Sequence, residues 1–554
     1  MLMTGGQALA QSLKIEGIDT LFALPGIQLD YLFDALWEER GHYRVHHTRH
    51  EQATAYMADG YARMSGRIGT FVVVPGPGVL NATAALSTAY ACSSPVLCVT
   101  GQIHSTQIDA GRGALHEIHD QSGLLSHLTK RSERAMRPEE IPGMVRRVAE
   151  AMQTGRARPT SIEVPPDVLG TVADVTLLEP ESWSRSALHQ ADPDLLERAA
   201  KILGEAERPL ICAGGGVLSA EAWAEVAELA RMLEAPVLMT PNGRGILSDR
   251  DYRAQSGRTA TAELVPNADA ILVIGTRFVL AADMGAGATT VRGRVVQADI
   301  DPEEVGRNVT PEVGLVGDAK HTATEILRRV SKYNRSRPSR ETELRGLRGA
   351  HEEALAKTPW QQGMADAIRA ELPEDGILVS ESTQVGYYVQ GGGFPVYQPR
   401  TMFTSGYQGT LGYGYATALG VQVGAPDRKV VSINGDGGFM YNVQELSTQA
   451  QQGIPLVTIV FNDGMFGNVR RIQEQRYNGH GMGTELNNPD FARVAGAFGV
   501  AGFRASDPAG LRAVLREALA LNAPALIEVA QPPTPTLPGM APMQPLPPRP
   551  TLNL

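Results

Sequence analysis

The chain has 554 residues and a formal net charge of −10, with 43% hydrophobic and 20% charged residues. At roughly 100–200 residues per domain, this length predicts about three domains. The acidic balance argues against nucleic acid or an anionic membrane surface as a partner. Three cysteines are too few for a disulfide framework or a four-ligand zinc site, so we expect buried thiols. Because we find neither a signal-like N-terminus nor an apolar run of about 18 residues, we expect a cytoplasmic protein.

Short β-branched runs alternate with longer helical patterns along most of the chain, which is typical of α/β domains with parallel sheets. Two polar stretches, "EPESWSRSALHQADPD" and "SKYNRSRPSRETELRGLRGAHEEALAKTP", interrupt the alternation. The proline-rich end cannot form a helix or a central strand, which predicts an extended arm or a disordered tail. We therefore predict three doubly wound parallel-sheet domains and an arm, at residues 1–175, 190–332, 360–532 and 533–554.

In the first region, "GTFVVVPGPG" and "PVLCVTG" predict strands, whereas "EQATAYMADGYARMSG" and "GVLNATAALSTAYA" predict helices. The stretch "HHTRH", with His46, His47 and His50, could suggest a metal site, but a strand running into the next helix explains it better. His116 and His119 have the spacing of a helical metal pair but lack an evident third ligand. We therefore do not predict a metal site at either group of histidines.

The second region contains four more strand-like runs: "PLICAGGG", "PVLMTP", "AILVIGTRF" and "RVVQADIDP". A lone glycine cluster such as the one in the first run is weak evidence for a dinucleotide site.

The third region contains "GILVSES", "KVVSINGDGG", "PLVTIVFNDG" and "PALIEVAQP", again strand-like, with Asp436 after the second run and Asp463 after the third. A right-handed crossover through "NVQELSTQAQQ" would bring these two strands side by side, or nearly so, with their C-terminal ends at one edge. We therefore expect both carboxylates in the crevice where open α/β sheets bind ligands.

Two carboxylates in one crevice repel each other unless a cation lies between them. Mg²⁺ is suitable, because it takes oxygen ligands and typically uses one or two carboxylates together with substrate phosphates. The alternative is that Gly-Asp-Gly forms only a hairpin turn. That alternative does not explain the helix and strand that return the chain to a second acid, so the spacing favours a site for magnesium and a phosphate-bearing ligand.

The stretch from "GDG" through "NVQEL" to "FND" resembles the diphosphate and magnesium motif of thiamine diphosphate enzymes. Upstream, "TRHEQATAYMADGYAR" is similar to the corresponding segment of acetohydroxyacid synthases and their relatives. Similar stretches elsewhere, including "VVVPGPGVLNATAALSTAYACSSPVLCVTGQ" and "TSGYQGTLGYGYATALG", extend the resemblance nearly end to end. It implies a pyrimidine-binding, a central Rossmann-like and a diphosphate-binding domain. The chain departs from the family at Asp463, where most relatives carry an amide.

The resemblance also implies roles for individual residues. Glu51 would hydrogen-bond the aminopyrimidine of the cofactor from an apolar pocket. His116 matches the active-site Gln or His that relatives use for proton transfer, with a satisfied core or surface histidine as the alternative; Gln121, in the same "ALHEIHDQ" stretch, is counted as catalytic with it. The metal ligands would be Asp436, Asp463 and the backbone carbonyl of Met465. The remaining cofactor-binding residues would be Gly26, Pro77, Asn81, Ser382, Thr383, Gln384, Gly409, Leu411, Gly437, Gly438 and Phe466, beside Asp436, Asp463 and Met465.

In some members of the family the central domain binds FAD. The "GTRF" stretch matches the start of the synthases' GARFDDR segment, but the following "VLAAD" does not keep its end, so FAD stays open. In the family the two ends of the cofactor are held by different subunits. This arrangement implies a homodimer as the minimal unit, commonly paired into a homotetramer.

The strongest similarity is to the acetohydroxyacid and acetolactate synthase branch. It implies a Mg²⁺ and thiamine diphosphate dependent carboligase acting on pyruvate or a similar 2-oxo acid. Ile472 stands where biosynthetic members carry a tryptophan that selects the second 2-oxo acid. Two alternatives therefore stay open: a non-oxidative 2-oxo acid decarboxylase or carbon-carbon lyase of 2-hydroxy ketones or 2-hydroxyacyl-CoA, and a cofactor-binding protein without turnover.

Overall fold

The computed structural model describes residues 1–181, 190–279 and 290–532. Within these ranges, strands form three six-stranded parallel sheets and one two-stranded antiparallel pair. Each large sheet lies in one of the three predicted regions and carries helices between its strands, which confirms the predicted α/β fold class. The predicted C-terminal arm lies outside the described residues.

The N-terminal domain is built on the first large sheet. Its strands, labelled in chain order, are β1 Leu2–Thr4, β2 Thr20–Ala23, β3 Arg44–His47, β4 Gly69–Val73, β5 Val96–Gly101, β6 Arg131–Arg134, β7 Thr160–Val164 and β8 Val172–Asp174. Its α-helices are Gly5–Ile15, Asp30–Glu38, Glu51–Ser65, Pro77–Cys92, Gln121–Leu128, Ile141–Gln153 and Pro166–Gly170. The sheet order is β3-β2-β4-β5-β7-β6, and β1 pairs with β8. The strands and helices predicted from this region are confirmed.

The central domain carries the second large sheet. Its strands are β9 Pro209–Ala213, β10 Val237–Met239, β11 Ala254–Gln255, β12 Ala270–Ile274, β13 Arg294–Asp299 and β14 Val313–Val316, and the sheet order is β11-β10-β9-β12-β13-β14. Its α-helices are Pro193–Glu205, Gly215–Ser219, Trp223–Leu233, Gly257–Asn267 and Ala319–Val330. The second polar stretch is not simply a connector: it contains the helix Glu341–Leu355, whose Leu344 is fully buried in a core of this domain.

The C-terminal domain carries the third sheet. Its strands are β15 Ile377–Ser380, β16 Met402–Thr404, β17 Val430–Gly435, β18 Val457–Asn462, β19 Ala501–Ala505 and β20 Ala525–Ala530. Its α-helices are Pro359–Glu371, Gln384–Tyr388, Tyr413–Gly424, Asp436–Phe439, Leu446–Gln451, Gly467–Arg476, Phe491–Ala497 and Pro508–Leu521. The sheet order is β16-β15-β17-β18-β20-β19, so β17 and β18 are neighbours, in parallel. The hairpin alternative for Gly-Asp-Gly is therefore wrong.

The N-terminal and C-terminal domains share one hydrophobic core, where helix Glu51–Ser65 packs against helix Tyr413–Gly424. A Cβ atom on Gly60 would lie 2.2 Å from the carbonyl oxygen of Thr417, and one on Gly420 would lie 1.9 Å from that of Met57. Only glycine permits this approach of the two backbones. The helix that begins with Glu51 is thus held directly against the C-terminal domain.

Among the described helices, none is both long and apolar enough to cross a bilayer. The three cysteines are unpaired, and Cys98 and Cys212 are buried. Burial raises the pKa of the Cys92 thiol to about 12, which makes it a poor nucleophile at neutral pH.

Candidate active site

A crevice lies at the C-terminal ends of β15, β17 and β18. Asp436 begins a short helix directly after β17, and Asp463 directly follows β18. The crevice is lined by Ser382, Thr383, Gln384, Tyr387, Leu411, Gly435, Asp436, Gly437, Gly438, Phe461, Asp463, Met465, Phe466, Gly467, Asn468, Val469 and Gln531. The structure thus brings the two acids and most of the residues predicted for the diphosphate end of the cofactor into one place.

Asp436 is buried and held by three donors. Its carboxylate accepts hydrogen bonds from the backbone N–H groups of Gly437 and Gly464, both at 2.9 Å, and from the amide of Asn488 at 2.6 Å. Burial raises its pKa, and these donors oppose the rise. Asn488 is a site residue that the sequence did not indicate.

Asp463 accepts hydrogen bonds from the backbone N–H of Met465 at 3.2 Å and from the amide of Gln531 at 3.0 Å. Burial and, second, the neighbouring carboxylate of Asp436 raise the pKa of Asp463 to about 6. Mutual repulsion of this kind is relieved by a cation between the two groups.

No group of three or more His, Cys, Asp or Glu side chains suited to a metal occurs in the described ranges. Two carboxylates with a backbone carbonyl still suit Mg²⁺, which leaves other positions to water and phosphate.

The floor of the crevice has unpaired polar atoms and little room for side chains. Within the described ranges, the hydroxyl of Thr383 and the amide oxygen of Gln384 are buried without a hydrogen-bond partner. A Cβ atom on Gly437 would lie 2.4 Å from the ring of Phe466. Buried polar atoms normally have partners, so these atoms fit a polar ligand such as a diphosphate.

Glu381, at the end of β15, connects three of the predicted cofactor-binding segments. It is 2% exposed, and its carboxylate accepts the backbone N–H groups of Gly412 at 2.8 Å and Gly414 at 3.1 Å. A Cβ atom on Gly438 would lie 2.0 Å from a carboxylate oxygen of Glu381, so the backbone of Gly438 packs directly against this side chain. Burial raises the pKa of Glu381 to about 7, although the two N–H groups lower it. The chain next to Leu411 is therefore held by a buried acid that sequence reasoning did not single out; Gly409 lies in the same loop with a φ of 61°.

Glu51 begins the helix Glu51–Ser65 and is half-buried within the single chain. The amide of Asn81 donates a hydrogen bond to its carboxylate at 2.9 Å. Pro77 occupies the first turn of the next helix, Pro77–Cys92, which also carries Asn81. Gly26 lies close by in the fold, because a Cβ atom there would be 2.3 Å from Val74, three residues before Pro77. The structure places these predicted residues at one edge of the first sheet.

His116 adopts a left-handed backbone conformation with a φ of 70°, which is uncommon for a residue other than glycine, although histidine adopts it more often than most. Its Nδ1 lies 3.1 Å from the amide oxygen of Gln28, and its carbonyl oxygen would be 2.3 Å from a Cβ atom on Gly76. Strained residues of this type cluster at functional sites.

Gln121 faces the interior. It is 1% exposed, accepts the backbone N–H of Gly76 at 2.8 Å, and donates to the carbonyl of Gly101 and to the buried Glu163, both at 3.2 Å. All of these contacts are internal, and they hold the turn that leads into Pro77.

The two ends of the predicted cofactor site are built by different domains of the chain. Every residue that lines the crevice belongs to the C-terminal domain, whereas Glu51, Asn81 and His116 belong to the N-terminal domain.

A second pocket lies between the central domain and its neighbours. It is lined in part by Gly215, Gly216, Gly275, Arg277 and Asp299. The glycines have a packing role, because a Cβ atom on Gly216 would lie 2.7 Å from the Cα atom of Gly275. The "LAAD" stretch that follows "GTRF", and on which the FAD question depends, begins at residue 280 and lies outside the described residues.

Three family models match successive parts of the chain. They are the N-terminal TPP binding domain, the central domain and the C-terminal TPP binding domain of thiamine pyrophosphate enzymes, at residues 3–124, 196–326 and 384–529. These matches follow the order of the three sheets.

Curated relatives align over nearly the whole chain. A probable acetolactate synthase large subunit from Methanocaldococcus jannaschii is 33% identical, with 98% of this chain and 94% of the relative covered. An acetolactate synthase from Arthrospira platensis is 33% identical, with 95% and 94% covered. A probable 2-ketoarginine decarboxylase from Pseudomonas aeruginosa is also 33% identical, with 95% and 94% covered. The chain therefore belongs to the thiamine pyrophosphate enzymes, as a member of the acetolactate synthase-like group.

Proposed function

We propose that this enzyme is a Mg²⁺ and thiamine diphosphate dependent carboligase that decarboxylates pyruvate or a similar 2-oxo acid and joins the remaining acyl group to a second carbonyl compound. The observation that carries the proposal is the crevice lined by Asp436 and Asp463, in which the buried hydroxyl of Thr383 and amide oxygen of Gln384 have no hydrogen-bond partner among the described residues. Thiamine diphosphate, when bound, would supply both a carbon nucleophile for the keto carbon of a 2-oxo acid and an electron-poor ring for the electron pair left when CO₂ departs.

The residues would divide the work between the two ends of the cofactor. Asp436, Asp463 and the carbonyl of Met465 would hold Mg²⁺, and the segment Ser382, Thr383 and Gln384, with Gly437, Gly438 and Phe466, would hold the diphosphate. Leu411 would support the middle of the cofactor, and the carbonyl of Gly409 would accept its amino group. Glu51 would hold and exchange a proton with the pyrimidine, next to Gly26, Pro77 and Asn81. His116 would transfer protons to substrate, and the internal contacts of Gln121 support a positioning role for it.

We further propose that two chains form each site, in a homodimer that pairs into a homotetramer in the cytoplasm. The domains would lie at residues 1–175, 190–332 and 360–532, with the helix Glu341–Leu355 as an addition to the central one. Support comes from the crevice, which is lined only by the C-terminal domain. Ile27, Leu80 and Leu115, each adjacent in sequence to a predicted site residue, are 65%, 47% and 65% exposed. A partner's C-terminal domain would cover these apolar side chains.

Product analysis with pyruvate tests the function. The purified protein with Mg²⁺ and thiamine diphosphate should convert pyruvate to acetolactate, measured as acetoin after acid treatment. A Glu51→Gln variant should bind the cofactor yet form no product. Acetaldehyde as the sole product would contradict carboligation.

Simple decarboxylation is the second candidate, because a probable 2-ketoarginine decarboxylase is as similar to this chain as the synthases are. A panel of 2-oxo acids that includes 2-ketoarginine separates the two candidates by the product that each substrate gives. The colour of the purified protein tests FAD in the central pocket: a yellow protein would support flavin, and a colourless one would contradict it.

A further inference from the structure

Glu51 is preceded by residues 46–50, which we name the approach segment. This segment is the end of β3 and the turn into the helix Glu51–Ser65. It is held from outside its own domain by residues 445–452, which lie between the two crevice acids in the sequence.

The central contact is a buried carboxylate. Glu445 is fully buried, and its two carboxylate oxygens lie 3.1 and 3.0 Å from the backbone nitrogen of Arg49, which donates to them. The hydroxyl of Thr448 donates to the same carboxylate at 2.5 Å. Burying an acid is costly unless it is hydrogen-bonded, and bonds to a carboxylate are stronger than bonds between neutral groups.

Two glutamines extend the contact. Gln452 donates to the carbonyl of His47 at 3.1 Å and hydrogen-bonds the ring of His46. Gln451, on the exposed side, accepts from the guanidinium of Arg49 at 2.7 Å. These contacts hold the ring of His46 and the backbone of His47 against the C-terminal domain. They also show that the C-terminal domain fixes the backbone immediately before Glu51.

We propose that Glu445 is a positioning residue for the reaction, which sets the orientation of Glu51 by holding the backbone N–H of Arg49. This inference rests on the proposed role of Glu51. A carboxylate at the start of a helix turns with the backbone of the residues before it, and a shift of about 1 Å can cost about a hundredfold in rate.

The test uses the full-length protein loaded with Mg²⁺ and thiamine diphosphate. In Glu445→Gln, exchange of the cofactor's C2 proton for deuterium should slow about ten- to a hundredfold, while the cofactor dissociation constant stays unchanged. In the cofactor-free protein, backbone amides of the approach segment should exchange with deuterium faster than in the wild type. The matched control Gln451→Ala, which removes only exposed contacts with the side chains of Arg49 and His47, should leave C2 exchange at the wild-type rate.

Unchanged C2 exchange in Glu445→Gln would overturn the proposal. So would a loss of cofactor affinity that accounts for the slower exchange, or an equal slowing in Gln451→Ala. If Glu445→Gln does not fold, Thr448→Val decides instead: slower exchange supports the proposal and the wild-type rate refutes it. Because C2 exchange needs no substrate, these outcomes are independent of whether pyruvate is the substrate.

Discussion

The buried acid Glu381 gives the sharpest prediction, through the change Glu381→Gln. Glutamine keeps the size of the side chain but cannot ionise. Burial raises the pKa of Glu381 from an ordinary 4.5 to about 7, so the folded protein binds a proton there that the unfolded chain releases at lower pH. A raised pKa in the folded state means that the stability from this group is fully present below pH 4.5 and is lost as pH rises through about 7.

The size of this effect follows from the two pKa values. The difference between 4.5 and about 7 corresponds to about 3 kcal/mol, since each tenfold change in proton affinity is about 1.4 kcal/mol. Glu381 is only 2% exposed, so solvent screens this effect little. Against this, the amide replaces one of the two acceptors for Gly412 and Gly414, which costs about 1–2 kcal/mol at every pH. Relative to wild type, the variant should therefore be less stable at pH 5 and equally or more stable at pH 8.

Urea denaturation of the cofactor-free proteins between pH 5 and pH 8 measures this change. The three domains need not unfold together, so midpoints of the transition assigned to the C-terminal domain are compared. Glu353→Gln, at an exposed position of the helix Glu341–Leu355, is the control and should show no such trend. A difference between Glu381→Gln and wild type that stays constant across this pH range would refute the reasoning.

Two further predictions concern the metal site and the domain contact. Asp463→Asn should weaken Mg²⁺ binding about tenfold, because a carboxylate ligand is replaced by an amide. Calorimetric titration measures the affinity, and an unchanged value would contradict ligation by Asp463. Gly420→Ala should destabilise the protein by about 3 kcal/mol or more, because its Cβ atom would lie 1.9 Å from the carbonyl of Met57. Gly346→Ala, where no atom lies within 4 Å of the new Cβ, is the control and should be neutral or stabilising in the same thermal unfolding assay.

The sequence predicted the features that local pattern determines. Buried parallel strands read as continuous apolar runs, so β17 and β18 and the acids after them were predictable, and the crossover rule made them neighbours. Glycine next to an acid marked the turn at Asp436. The fold class and the crevice both follow from such local signals.

Contacts between distant segments were not predictable in the same way. Asn488 reaches Asp436 across 52 positions, and Gln531 reaches Asp463 across 68. Neither amide has a neighbouring pattern that distinguishes it from an exposed side chain. Likewise the helix expected in the crossover "NVQELSTQAQQ" is not continuous, because the chain forms a 3-10 turn at Val443–Glu445 and then the short helix Leu446–Gln451. Glu445 ends that turn, and its carboxylate accepts a hydrogen bond from Arg49, 396 positions earlier, which no local pattern indicates.

The chain between the two crevice acids is therefore more than a spacer. Near its start, the amide of Asn442 donates to the carbonyl of Gly412 at 2.7 Å, beside Leu411. Three positions later, Glu445 holds the backbone that leads to Glu51. If two chains build each site, Leu411 serves the crevice of its own chain and Glu51 serves that of the partner. The same short segment would then touch both active sites of a dimer, so a change in how one crevice holds its ligand has a direct route to the proton-exchanging residue of the other.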